Sequence, residues 1–112
     1  MEITRAISVR QPYAELIMLG VKTEEFRSIV TNIRERVYIY ASNTLADDDS
    51  SLKRTKKTAS ELPRGFLIGT IEIVDCSGSK ERGFIWKLQN PIRLETPIKP
   101  AKKPQPVWFK PF

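Results

Sequence analysis

Histidine is absent from this chain of 112 residues, and cysteine occurs once, at Cys76. The first absence removes imidazole acid–base catalysis and histidine metal ligands. The second removes an intramolecular disulfide framework and a cysteine zinc cluster. No apolar run is long enough to span a bilayer, and the opening MEITRAISVRQP has no signal-peptide core. Together these absences point to a protein of a reducing cytoplasm, with no membrane partner, no metal and no cofactor. Cys76 closes an apolar run and reads as a buried, inert thiol.

What is present is an ordinary globular balance, 40% hydrophobic and 29% charged. Apolar runs recur along most of the chain, which argues against a disordered tail. A chain of this length supports one core, so residues 1–112 read as a single domain. Lysine and arginine number 19 against 13 acids, a net charge of +6. That excess favours an anionic partner, nucleic acid first.

The chain opens with a strand over 3–9 and a turn at Arg10-Gln11-Pro12. A short helix over 12–19 follows, packing Leu16, Ile17 and Leu19 inward and stopping at Gly20. Residues 22–28 read as a strand, and 35–41 as a firmer one, with Val37, Ile39 and Ala41 facing one side and Tyr38 and Tyr40 the other. The polar stretch 43–61 places Asp47, Asp48 and Asp49 ahead of Lys53, Arg54, Lys56 and Lys57. Acids first and bases later suit the helix dipole, so a surface helix with a narrow Leu45, Leu52, Ala59 stripe is expected.

After Leu62-Pro63-Arg64-Gly65, residues 66–76 make the strongest strand, with Leu67, Gly69, Ile71 and Ile73 as its buried set. A turn is expected at 77–80. Strands at 83–88 and 92–94 follow, parted by a turn at Gln89-Asn90-Pro91. The last stretch, 97–112, holds five of the eight prolines and reads as an edge or extended segment anchored by Val107-Trp108-Phe109. The sum is an α+β fold of about six strands and two to three flanking helices, a small, strongly bent sheet or open barrel.

The chemistry concentrates in Arg10-Gln11-Pro12-Tyr13 and Gly20-Val21-Lys22-Thr23-Glu24-Glu25-Phe26-Arg27. Strand alternation puts Thr23, Glu25 and Arg27 on one face with Lys22 at its mouth. Such a face is costly to bury unsatisfied. Glu25 and Arg27 either bond each other as a solvated surface pair or offer donors and acceptors to a polar ligand such as a base edge. Lys22 holds a phosphate, or serves as a base where Arg27 and desolvation disfavour its charged form. Tyr13, Tyr40 and Trp86 either stack on a base or pack, and Tyr40 is the one expected in a cleft. The basic run Lys53, Arg54, Lys56, Lys57 is either a solvated helix face or a surface that tracks phosphates. The tail lysines Lys99, Lys102, Lys103 and Lys110 carry the same two readings.

The segment fits G-x-K-T-x-E-x-R through Gly20, Lys22, Thr23, Glu25 and Arg27, and so resembles the ASCH domain (activating-signal-cointegrator homology), a branch of the PUA-like superfamily. The likeness extends through Ile7–Ala14, Val37–Ser42, Leu62–Gly65, Ile68–Ile71, Val74–Cys76, Phe84–Leu88 with Asn90-Pro91, and Trp108. It implies a small PUA-like open β-barrel flanked by helices, closed by the Pro-rich segment 97–112, with the motif lining a cleft. It also implies RNA or a modified nucleoside as ligand. Some bacterial relatives hydrolyse N4-acylated cytidine and others act as ribonucleases. The hydrolases place a nucleophilic threonine where this chain has Glu25, a carboxylate that does not repeat hydroxyl chemistry. Further departures are Glu24 for an apolar residue, Tyr40 for a frequent histidine, Arg34-Glu35 for Arg-Gly, and a tail without the glycines that precede the closing Trp.

The resulting expectation is a nucleoside or RNA cleft made by Arg10, Gln11, Tyr13, Lys22, Thr23, Glu25, Arg27, Tyr40 and Ser42, with Lys53, Arg54, Lys56 and Lys57 as a nucleic-acid surface. The alternative is a metal-free hydrolase of N4-acylated cytidine or RNA in which Lys22 and Glu25 are the catalytic pair. A third reading is recruitment of a protein partner through the Pro-rich tail.

Overall fold

Strand alternation over residues 37–41 sorts side chains onto two faces, and both faces are covered. In the computed structural model, which describes residues 2–112, Val37, Ile39 and Ala41 join a large apolar cluster with Ile7, Val9, Ile68, Ile71, Ile73 and Trp86. Tyr40 turns the other way into a smaller cluster with Ala6, Leu67 and Phe109. The sheet has six strands in the order β2-β5-β4-β3-β1-β6. These are β1 (Ala6–Gln11), β2 (Glu24–Arg27), β3 (Arg36–Leu45), β4 (Phe66–Ser79), β5 (Gly83–Ile98) and β6 (Trp108–Phe109), with helices α1 (Tyr13–Met18) and α2 (Asp49–Arg54). β1 and β3 run parallel, and the other neighbours are antiparallel.

The sheet curls. β2 and β1 lie far apart in the strand order, yet the Arg27 guanidinium of β2 donates to the Ser8 carbonyl of β1 at 2.8 Å. Trp86 of β5 likewise stacks on Trp108 of β6, with ring centroids 5.6 Å apart. Register shifts along β4–β5 and in β1 and β3 supply the bending, since each unpaired residue increases local twist. The expected α+β fold, an open barrel of about six strands with flanking helices, is therefore observed as a curled half-barrel of six strands with two α-helices.

Several local expectations are corrected. The first strand starts at Ala6 and runs through Gln11, so the turn expected over 10–12 shrinks to Pro12. Leu19 is 47% exposed, and α1 instead buries Ala14, Leu16, Ile17 and Met18. The long helix over 43–61 is absent: β3 continues to Leu45, α2 covers only six residues, and a 3₁₀ turn spans Ala59–Glu61. The expected dipole logic holds within that shorter helix. Asp48 caps it by accepting from the Ser51 amide at 3.0 Å, and Lys53 and Arg54 fill its last turn.

In β4 the buried set is broader than strict alternation. Leu67 packs in the smaller cluster and Ile68 joins Ile71 and Ile73 in the larger one. β4 also continues through 77–79, which moves the hairpin turn to 80–82. The turn expected at 89–91 is a kink inside one continuous strand, with Asn90 in the left-handed region at φ 56°. Asparagine tolerates that conformation, so the strand bends without ending. Cys76 is only half-buried. The Pro-rich tail forms an edge as expected, with β6 pairing with β1.

Candidate functional site

The curl leaves a cavity of about 760 Å³ between β1, β2, the start of α1, the end of β3 and the tail. Its wall includes Ser8, Val9 and Arg10 of β1, Tyr13 of α1, Lys22, and Glu25, Phe26 and Arg27 of β2. Tyr40, Ser42, Asn43 and Thr44 of β3 and Pro104 to Val107 of the tail complete it.

At its centre a carboxylate stands between two cations. Glu25 is buried, at 8% exposed. Its Oε2 accepts from Arg27 Nη2 at 2.6 Å and Nε at 3.1 Å, and its Oε1 lies 3.3 Å from Lys22 Nζ. Lys22 Nζ also donates to the Glu24 carbonyl at 2.6 Å. Arg27 Nη2 also donates to the Ser8 carbonyl, which leaves Nη1 without a hydrogen-bond partner among the described residues. Both cations are largely sheltered, each with 18% of its side chain exposed. Arg27 lies 5.7 Å from the Trp86 ring centre, and Lys22 5.5 Å from those of Tyr13 and Phe26. These charge–ring contacts fix the cations in place without neutralising them.

Tyr13 is oriented from outside the cavity. Its hydroxyl donates to Asp48 Oδ2 at 2.8 Å. That hydrogen bond, with some burial, pushes the Tyr13 hydroxyl above its ordinary value. Hydrogen bonds from the Ser51 amide, the Ser51 hydroxyl and Tyr13 hold Asp48 well below the usual carboxylate range. Tyr40 is 4% exposed and packs edge-on against Phe109 at 5.3 Å; burial raises its hydroxyl. The Ser42 Oγ is buried at the cavity wall with no hydrogen-bond partner. A buried hydroxyl in that state is uncommon.

Seven of the nine sequence-predicted residues meet around this cavity: Arg10, Tyr13, Lys22, Glu25, Arg27, Tyr40 and Ser42. Gln11 and Thr23 do not line it. Gln11 is fully buried; its amide donates to the Pro63 carbonyl at 2.9 Å and its carbonyl accepts from the Glu15 amide at 3.0 Å. It is a brace between α1 and the segment before β4. Thr23 is exposed, and its backbone carbonyl pairs with the Leu88 amide. Trp86 is fully buried, with its indole N–H donating to the Ile29 carbonyl at 3.1 Å, and is core. The basic run is not one helix face, because α2 ends at Arg54 and Lys56 adopts φ 59°. Lys57 pairs with Glu15 at 3.1 Å.

Sequence reasoning missed the tail's part in the wall. Ser8 ties it down, its amide donating to the Val107 carbonyl at 3.0 Å and its hydroxyl to the Gln105 carbonyl at 2.9 Å. Val107 itself sits at φ 66°, a costly conformation for a β-branched residue. No local signal points there, since Ser8 and Val107 meet only through the β1–β6 pairing. Among the described residues, no cluster of three or more acids and Cys76 is placed to hold a metal ion, and no helix is long and apolar enough to cross a membrane.

A family model described as the ASCH domain matches residues 7–98. Activating signal cointegrator 1 of Homo sapiens is 31% identical over 85 residues, covering 67% of this chain and 15% of that protein. Its counterpart in Mus musculus is 29% identical over the same shares. The chain thus spans about 15% of the length of the curated relatives it matches. The crystal structure of ASCH from Zymomonas mobilis superposes with a TM-score of 0.66 at 15% identity, covering 95% of this chain and 85% of that one. A serine-to-alanine variant of the Zymomonas mobilis protein gives 0.64 at 17% identity, covering 95% and 86%. At these identities the two structures establish the shared fold.

Proposed function

This chain belongs to the ASCH domain family, and we propose that it binds RNA or a modified nucleoside in the cleft between β1, β2 and β3, acting as one unit in the cytoplasm. The observation that carries the reading is the Lys22–Glu25–Arg27 cluster facing a cavity of about 760 Å³. That volume lies within the range that encloses small organic ligands. Lys22 and Arg27 supply donors to anionic or carbonyl groups. Glu25 accepts from an exocyclic amine. The Tyr13 ring, held by Asp48, offers a face for stacking, worth about 1–3 kcal/mol per base.

The test is an amide NMR titration with cytidine, N4-acetylcytidine and a short RNA. Shifts at residues 22–27 are expected, reduced at least tenfold in affinity by Lys22→Ala. The reading is wrong if all three ligands leave those amides unmoved.

A second reading is a metal-free hydrolase of N4-acylated cytidine or RNA. It is favoured by the 3.3 Å approach of Lys22 Nζ to Glu25 Oε1, which puts an acid–base pair within reach of one ligand. Product formation at equal rates by wild type and Lys22→Ala would remove Lys22 from any such mechanism.

A further inference from the structure

We propose that the ligand of this cleft is a single-stranded polynucleotide, whose backbone beyond the bound base runs into a second, basic groove. The proposal rests on the cleft reading above and extends it from a nucleoside to a chain.

A groove of about 470 Å³ adjoins the cleft. Tyr40, Asn43 and Pro104 line both, so the two hollows are neighbours that share these residues as a common rim or wall. The groove's own lining carries Arg64, Lys99, Lys102 and Lys103, and no carboxylate. All four cations are exposed, and none belongs to an ion pair among the described residues. The contrast with the cleft is chemical. There, Glu25 offsets one of the charges and supplies an acceptor, which suits a base edge. Here, only cations are offered, which suits a repeating anion and reads no base.

The lysines are also held on a constrained loop. The amides of Ala101 and Lys102 both donate to the Pro111 carbonyl at 2.9 Å. Pro100 and Pro104 restrict the backbone between them. Less ordering is then required when a ligand binds. A free nucleoside carries no phosphate and leaves this groove empty, whereas a polynucleotide places phosphates on both sides of each base. Single-stranded chain fits better than duplex, because its base enters the cleft without leaving a stacked pair.

The experiment compares cytidine with a cytidine hexaribonucleotide on wild type, on Lys102→Gln with Lys103→Gln, and on a charge-matched control, Lys80→Gln with Arg82→Gln, at the β4–β5 turn. The hexamer is expected to shift amides at both 22–27 and 99–104. Removing the two groove lysines is expected to weaken it about tenfold and to flatten log Kd against log salt by about 1.4, near 0.7 for each phosphate that is no longer neutralised. Cytidine binding is expected to stay within twofold, and the control variant to behave as wild type for both ligands. Equal hexamer affinity and salt slope in the groove variant and the control would overturn the groove while leaving the cleft reading intact. Hexamer shifts confined to 99–104 would overturn the continuous path and the cleft reading together.

Discussion

Two glutamates in this fold each stand between a lysine and an arginine: Glu15 with Lys57 and Arg93, and Glu25 with Lys22 and Arg27. In the first, the carboxylate is wholly buried and its cations reach in from the surface, with 40% and 41% of their side chains exposed. In the second, all three groups are partly sheltered and face a cavity. Arg93 grips both oxygens of Glu15 at 2.8 and 2.9 Å, joining α1 to β5. No acceptor capacity is turned toward a ligand. Arg27 instead directs two nitrogens onto one oxygen of Glu25, leaving the other near Lys22 at the cavity wall. The same three residue types thus make a brace in one place and a candidate recognition face in the other. What separates them is the direction in which the cations point.

Substituting each carboxylate is the most direct way to break that distinction. Glu15→Gln leaves two cations facing a buried amide. It is expected to cost about 3 kcal/mol, the low end for a broken buried pair because both cations keep solvent contact. Glu25→Gln leaves two sheltered cations beside an open cavity and is expected to cost less, about 1–2 kcal/mol, yet to weaken nucleoside binding at least tenfold. Urea unfolding and NMR titration of both variants check this. Equal stability losses would erase the difference between brace and site.

The brace depends on close approach by α1, and Gly69 permits it. A Cβ at Gly69 would collide with Met18 Sδ of α1 and lie 2.7 Å from the Ile92 carbonyl of β5. Gly69→Ala is therefore expected to destabilise by about 2 kcal/mol through overpacking, read again by urea unfolding. Because Gly69 also pairs with Arg93 in register, the variant should disturb the Glu15 contact before the Glu25 one. Chemical shifts that change first at residues 22–27 would contradict that order.

Acidification separates the two regions further. Burial pushes the Glu15 carboxyl up, but hydrogen bonds from Arg93 and Lys57 outweigh it and hold it below the ordinary value. Such a group contributes stability that is fully present above its unfolded value, about 4.3, and is lost as pH falls through the lower folded value. Asp48 and Glu61, lowered by their own hydrogen bonds, lose their contributions in the same direction. The urea midpoint is expected to be flat with respect to these groups from pH 7 to about 5 and to fall below about 4. Glu15→Gln should fall less steeply over that window, with the residual slope assigned to Asp48 and Glu61. An unchanged slope would remove Glu15 from the acid response.

The contrast also explains what could be read from the chain. Lys22, Glu25 and Arg27 lie within six consecutive residues, and a period of two placed the last two on one face. Val37, Ile39, Ala41 and Tyr40 sorted onto their faces by the same rule. Glu15 was invisible because its partners lie 42 and 78 residues away, and a glutamate in a short helix ordinarily faces solvent. Gln11 was placed in the cleft for its neighbours, but its side chain is used up by Pro63 and Glu15. At Asn90-Pro91 the usual turn residues sit inside a strand, since pairing with β4 on both sides carries the chain across the kink. Long-range pairing, which no local period encodes, decided each of these.

Thr23 offers the finest test, because there motif and geometry disagree. It occupies a motif position beside Lys22, yet it is exposed and absent from the cavity wall. Its backbone carbonyl accepts from Leu88, a bond that any residue at this position makes. If geometry governs, Thr23→Ala changes stability by no more than about 0.5 kcal/mol and leaves cytidine affinity within twofold, while the neighbouring Lys22→Ala loses binding. An affinity loss approaching that of Lys22→Ala would place the hydroxyl against the ligand. The boundary of the site would then run along the whole motif strand, and not along the rim set by the cavity.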